Sequence, residues 1–245
     1  MGTLTGLLLA WLASGSGPSG FAAAAVHVRA EPPKILNIVR QKLKPGTARS
    51  YEALETAIVA AYQQARVPVF WIMLQSRTDA TDIVYLNVAD SIEDFEAMGA
   101  GYRRAAAAHP ELDKMSARLA TFIERSTSTL TTRRDEIPFG RTAVDLQNMR
   151  ALRLTVFEVP PGHEGRFVTA ARAAANRGAL WLLYEANKTP SFMLVAPLRT
   201  AARPKKAPGI PRRLHELKDS RSPIDDGVYV LRPQMSHPPK GWRLR

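Results

Sequence analysis

Two stretches of this chain follow one plan, and that duplication constrains the fold more than any other feature. "KLKPGTARSYEAL" spans residues 42–54 and "EVPPGHEGRFVTA" spans 158–170. Each runs from apolar residues through Pro-Gly and four further residues to an aromatic. Placing Gly46 on Gly162 sets an offset of 116. Before each motif lies a strand-like apolar run, "ILNIVRQKL" (35–43) and "ALRLTVFEV" (151–159). After each comes helical spacing: Tyr51, Leu54, Ile58, Ala61, Tyr62 and Ala65 in the first, Phe167, Ala170, Ala171 and Ala174 in the second, with Gly178 as its stop. Proline fixes φ and gives up a ladder donor, while glycine permits the tight turn, so the pair punctuates strand from helix.

The parallel continues downstream. "VFWIMLQ" (69–75) matches "ALWLLYE" (179–185), and "DIVYLNV" (82–88) matches "SFMLVAP" (191–197). Repeat one goes on to a helix capped by Ser91, with Asp94 three residues later, and to a second helical segment opened by Pro110. Its last strand is "STSTLTTR" (126–133); repeat two ends on "GVYVLRP" (227–233). Each half thus reads strand–helix–strand–strand–helix–strand, an α+β ferredoxin-like βαββαβ unit. The predicted organisation is repeat one at 34–133, a linker at 134–149, repeat two at 150–233 and a C-terminal tail at 234–245. Helices cover one face of each sheet, so the expectation is that the two sheets face each other as a pseudo-dimeric α+β barrel.

The strand, "KPG" or "PPG", aromatic helix and Trp-bearing strand resemble the dimeric α+β barrel superfamily, in particular the NIPSNAP and antibiotic-biosynthesis-monooxygenase-like families. More narrowly, the chain resembles tandem, exported bacterial proteins of that kind. The resemblance covers about 34–133 and 150–233. It implies a small-molecule site or a structural role, with a cofactor-independent monooxygenase-like or haem-linked enzyme as the alternative. It supplies no catalytic signature, so no residue here is singled out as catalytic.

The amino terminus carries "LTGLLLAWLA" (4–13), a Gly/Ser/Pro block and the small-residue sites Ala23–Ala25 and Val28–Ala30. This reads as a signal peptide over 1–30, and hence a periplasmic or extracellular protein. The apolar run is too short to span about 30 Å of hydrocarbon. No Lys or Arg precedes it. There is no cysteine, which excludes disulfides, thiolate metal sites and a Cys nucleophile.

Of the five histidines none forms a spaced ligand cluster, so no metal site is expected. The net charge of +12 is unevenly placed: residues 34–139 carry +1 and residues 140–245 carry +11. The stretch 199–213, "RTAARPKKAPGIPRR", holds six basic residues and no acid, which suits contact with an anionic surface. It lacks the interleaved aromatics of a nucleic-acid groove, which argues against nucleic acid; a solvated loop is the plainer reading. Nothing in the sequence sets the oligomeric state.

Strand alternation supplies the candidate site. Trp71, Met73 and Gln75 share a face, as do Ile83, Tyr85 and Asn87; the counterparts in repeat two are Trp181, Leu183 and Glu185, and Arg153, Thr155 and Phe157 alternate with apolar residues. The expectation is a cavity between the two sheets that takes a small hydrophobic or aromatic ligand. Trp71, Tyr85, Asn87, Arg153, Trp181 and Glu185 would line it. The plainer reading makes the tryptophans core and the polar residues a wet rim.

Overall fold

In the computed structural model of this protein, residues 32–137, 146–175, 182–186, 191–200, 221–240 and 242 are described. The signal-peptide expectation, Trp181, Gly178 and residues 201–213 of the basic stretch lie outside them. No described helix is long and apolar enough to cross a membrane.

Repeat one comprises β1 (Ile35–Leu43), α1 (Ala48–Gln64), β2 (Ile72–Ser76), β3 (Asp82–Ala89), α2 (Ile92–Ala108), α3 (Pro110–Ala120) and β4 (Ile123–Arg133). Repeat two comprises β5 (Ala151–Glu158), α4 (Glu164–Ala175), β6 (Leu182–Ala186), β7 (Ser191–Leu198) and β8 (Arg221–Leu231). The eight strands close into a barrel in the order β1-β3-β2-β8-β5-β7-β6-β4. Cut at the β2·β8 and β6·β4 seams, this is the same four-strand order twice. Every pairing is antiparallel.

The Pro-Gly pairs sit where the duplication requires. Gly46 has φ +79° and Gly162 φ +85°. The amide of Thr47 donates to Lys44 O, and that of His163 to Pro160 O, closing matching four-residue turns. Proline second and a left-handed glycine third is the composition of a type II turn. Tyr51 and Phe167 follow one helical turn in, both buried against the sheet. At the start of α2, the Ser91 side chain accepts from the Asp94 amide at 3.0 Å, as the cap signal predicts.

Three buried clusters divide the molecule. The barrel interior is filled by Leu36, Ile38, Ile72, Leu74, Val84 and Leu86 from repeat one, and by Leu152, Leu154, Leu182, Tyr184, Met193, Val195 and Tyr229 from repeat two. Leu146 and Met149, in the stretch expected to link the repeats, join this core. A second cluster lies between the outer face of repeat one and α1, α2 and α3. A third lies between the outer face of repeat two and α4.

The C-terminal tail does structural work. After β8 the chain makes a short 3-10 helix (Pro233–Met235) and returns along β2, so that Trp71 and His237 exchange backbone hydrogen bonds of 2.8 and 2.9 Å. The Ser236 hydroxyl accepts from the Met73 amide at 2.9 Å, and the Trp71 indole donates to Met235 O at 3.0 Å. β2 pairs with β8 only over Leu74–Ser76, so the tail satisfies a strand edge that would otherwise be bare.

Candidate functional site

The space between the sheets does not hold the expected site. Trp71 and Tyr85 belong to the cluster beneath the helices of repeat one, while their neighbours Ile72, Val84 and Leu86 fill the barrel. Trp71, Met73, Ile83 and Tyr85 do share one face, and the side on which that face lies is corrected. Asn87 is buried on the helix side, accepting from Asn37 Nδ2 at 3.3 Å and donating to Phe70 O at 3.1 Å. Arg153 forms a forked pair with Asp226 at 2.8 and 2.6 Å, and Thr155 donates to the same carboxylate at 2.9 Å. Glu185 is paired with Arg134. The structure therefore brings Trp71 and Tyr85 together at one cavity and places Arg153 and Glu185 elsewhere.

That cavity lies between the outer face of repeat one and its helices. β1 contributes Val39 and Gln41, α1 contributes Tyr51, Glu55, Ile58 and Tyr62, Trp71 comes from just before β2, and β3 contributes Tyr85. Tyr102 and Ala106 come from α2, and Asp113, Ser116, Leu119 and Ala120 from α3. Its free volume is about 50 Å³. That admits more than one water, or the head of a small molecule, but is less than the roughly 150 Å³ of a cavity known to take a whole benzene. The half-exposed Ala106, Asp113, Ser116 and Ala120 form its mouth.

Sequence reading missed Glu55. It is 3% exposed, and among the described residues no Lys, Arg or His lines the cavity with it. Burial pushes its carboxyl up to about 8, with the Tyr85 hydroxyl and the Trp71 indole opposing in part. A buried carboxyl with no cation takes up a proton rather than carry an unpaired charge. The signal was present: Glu55 lies four residues from both Tyr51 and Val59, inside the apolar stripe of α1 rather than on its wet side.

The surrounding hydroxyls are ordered. Tyr51 donates to Gln41 Oε1 at 2.8 Å, and the Tyr51 and Tyr85 oxygens are 2.5 Å apart. Burial, followed by the nearby Glu55 carboxylate, raises both phenols well above their ordinary range. Burial likewise pushes Tyr62 up to about 12, with Glu55 and Asp113 adding to it. The Tyr102 hydroxyl is buried and has no hydrogen-bond partner among the described residues. Asn87 lies near enough to ease ionisation of Tyr102 but does not bond to it. The Trp71 ring meets Tyr62 edge-on at 5.2 Å and packs against His237 at 5.2 Å, and the Tyr62 and His237 rings lie 6.4 Å apart.

Repeat two presents the same positions without the chemistry. Strand register places Phe157 where repeat one has Gln41, and Leu194 where it has Tyr85. The offset of 116 places Phe167 at Tyr51 and Ala171 at Glu55. All four are buried, and Phe167 stacks on Phe192 at 4.7 Å. Among the described residues, one repeat carries a polar cavity and the other fills the same place with hydrocarbon.

No protein-family model matches the sequence, and no curated protein matches it. Solved structures do. A candidate monooxygenase from Fusobacterium nucleatum is 13% identical, with 86% of this chain and 97% of that one covered and a TM-score of 0.54. An anthrone oxidase-like protein is 12% identical, covering 82% and 92%, with a TM-score of 0.51. The chain has the dimeric α+β barrel fold. Here both halves of a dimeric α+β barrel come from one polypeptide. A chlorite dismutase variant from Candidatus Nitrospira defluvii, in complex with cyanide, is also similar, at 11% identity, 83% and 92% coverage and a TM-score of 0.50. Identities this low establish the α+β barrel and nothing of its chemistry.

Haem, which the family resemblance leaves open, does not fit this α+β barrel cavity. About 50 Å³ is far less than a macrocycle occupies, whatever the lining tyrosines could offer an iron.

Proposed function

We propose that the helix-side cavity of repeat one binds the polar head of a small, neutral, largely aromatic molecule, and that Glu55 exchanges a proton with it. The observation that carries this is the buried, cation-free Glu55 among tyrosines, at a position where repeat two has Ala171. A structural role would be served as well by hydrocarbon, as repeat two demonstrates. A carboxyl raised toward neutrality is suited to take a proton from a phenol or a carbon acid and return it. With Asp113 at the mouth and no lining cation, anions are disfavoured. A cofactor-independent oxygenase is one enzyme of this kind, since deprotonating an electron-rich aromatic is what prepares it for oxygen. The names borne by the fold neighbours accord with that finer reading.

The test is calorimetric titration with phenol, 2-naphthol and benzoate against wild type, Glu55→Gln and Ala120→Trp, the last designed to block the mouth. The expected result is binding of the two phenols alone, weakened about tenfold by E55Q and abolished by A120W. Equal binding to all three proteins would place the ligand elsewhere. Preferential binding of tetramethylammonium would make the cavity a cation cage instead. Oxygen uptake with anthrone, without added metal or cofactor, tests the oxygenase reading. We also propose export, on the apolar run at 4–13 and its small-residue sites. Amino-terminal sequencing of secreted material should find a start between Val26 and Glu31, and an intact Met1 on such material would contradict it.

A further inference from the structure

The row Gln41–Tyr51–Tyr85 lines the same cavity as Glu55, and proton counting gives it a direction. Each phenol has a single proton to donate. When Tyr51 donates to Gln41 Oε1, its oxygen accepts from Tyr85 across 2.5 Å, and the proton of Tyr85 is then spent. Glu55 can meet Tyr85 in that arrangement only as a donor, in its protonated form. An ionised Glu55 has the opposite need. It takes the Tyr85 proton, Tyr51 turns its own toward Tyr85, and the Gln41 side chain must present NH2 where it presented oxygen. A carboxamide can do this by rotating its terminal group through about 180°, because donor and acceptor are nearly the same size and shape. No backbone movement is needed.

We propose that Gln41, Tyr51 and Tyr85 form a reversible hydrogen-bond row whose direction is coupled to the protonation of Glu55, with Gln41 as the positioning residue that makes both directions available. The proposal deepens the reading of Glu55 as the proton-exchanging group of the cavity and rests on it. Two observations beyond the geometry support it. In repeat two the whole row is absent at once, with Phe157, Phe167, Leu194 and Ala171 in the corresponding places, as expected of a unit that works together. The other titratable groups facing the cavity are Tyr62 from α1, Tyr102 from α2 and Asp113 from α3, while the residue before β2 presents the Trp71 indole. None supplies positive charge, so hydrogen bonding from the row is the main local means of accommodating an ionised Glu55.

The experiment needs no ligand, so its failure is separable from failure of the binding reading. The titration midpoint of Glu55 is measured by carboxyl carbon NMR in the full chain carrying labelled glutamate, with E55Q giving the assignment. Gln41→Glu, an acceptor only once ionised, should raise the midpoint by about one pH unit, and Gln41→Met, which favours neither direction by donating or accepting strongly, should lower it by a smaller amount because the protonated direction then strands the Tyr51 proton. Adding Tyr51→Phe should remove most of both displacements. If Q41M leaves the midpoint where it is in wild type, or if its displacement survives Y51F undiminished, the row does not carry the coupling. Should Q41E fail to fold, the Q41M pair decides alone, since that exchange nearly conserves volume and Y51F removes one oxygen.

Discussion

Tyr102 keeps a buried hydroxyl that no described residue bonds to, and such a group costs about 1–3 kcal/mol relative to a satisfied one. Tyr102→Phe should therefore leave the ligand-free protein as stable or up to about 1 kcal/mol more stable, by urea denaturation, while weakening phenol binding severalfold by calorimetry. A loss of stability would mean that the hydroxyl already has a partner. Glu55 predicts a pH dependence with a definite sign. Its pKa in the folded chain, about 8, exceeds the ordinary 4.5, so the native state binds more protons between those values and stability falls as pH rises through that window. Against Glu55→Gln, wild type should lose on the order of a few kcal/mol between pH 4.5 and 8 and change little beyond, measured by denaturation at a series of pH values. Glu55 was legible in principle, as an acid inside an apolar stripe. Tyr102 was not, because helical spacing reports burial of a side chain and says nothing of what its terminal atom meets.

Turns and strand pairings carried most of the legible fold. The Pro-Gly motifs located two strand-to-helix turns because only proline's fixed φ followed by glycine's left-handed one suits them, and both glycines have positive φ. A methyl group at either would meet nothing within 4 Å, so the penalty is backbone strain alone. Gly46→Ala and Gly162→Ala should each cost about 1 kcal/mol by chemical denaturation, with similar values at both positions. Unequal costs would mean that the turns are less alike than their dihedrals. What the sequence left open was which side of a strand faces the barrel. Trp71 and Met73 are as deeply buried as Ile72 and Leu74, so the second strand has no wet face from which to orient it. The tail was illegible for another reason: its hold on β2 uses main-chain groups, the Ser236 hydroxyl, the His237 ring and the single buried Met235, which leave no hydrophobic period.

At the scale of the whole molecule, each repeat depends on the other for its inner face. Ile72 and Leu74 of one and Leu152 and Val195 of the other belong to a single cluster, and both seams join a strand of one repeat to a strand of the other. Fragments 32–137 and 146–245, expressed separately, should each aggregate or associate with themselves, and should give a barrel when refolded together, read by size-exclusion chromatography and near-ultraviolet circular dichroism. A stable, monomeric first fragment would show that the inner face is not shared as described. The seams have a further consequence. In a barrel assembled from two identical chains, any alteration is made twice, so a residue that helps one cavity and harms the fold is imposed on both. Joining the copies end to end lifts that restriction: the half bearing Phe157, Phe167 and Ala171 is free to specialise in cohesion, and the half bearing Gln41, Tyr51 and Glu55 can tolerate an ill-solvated acid because its twin makes no such demand.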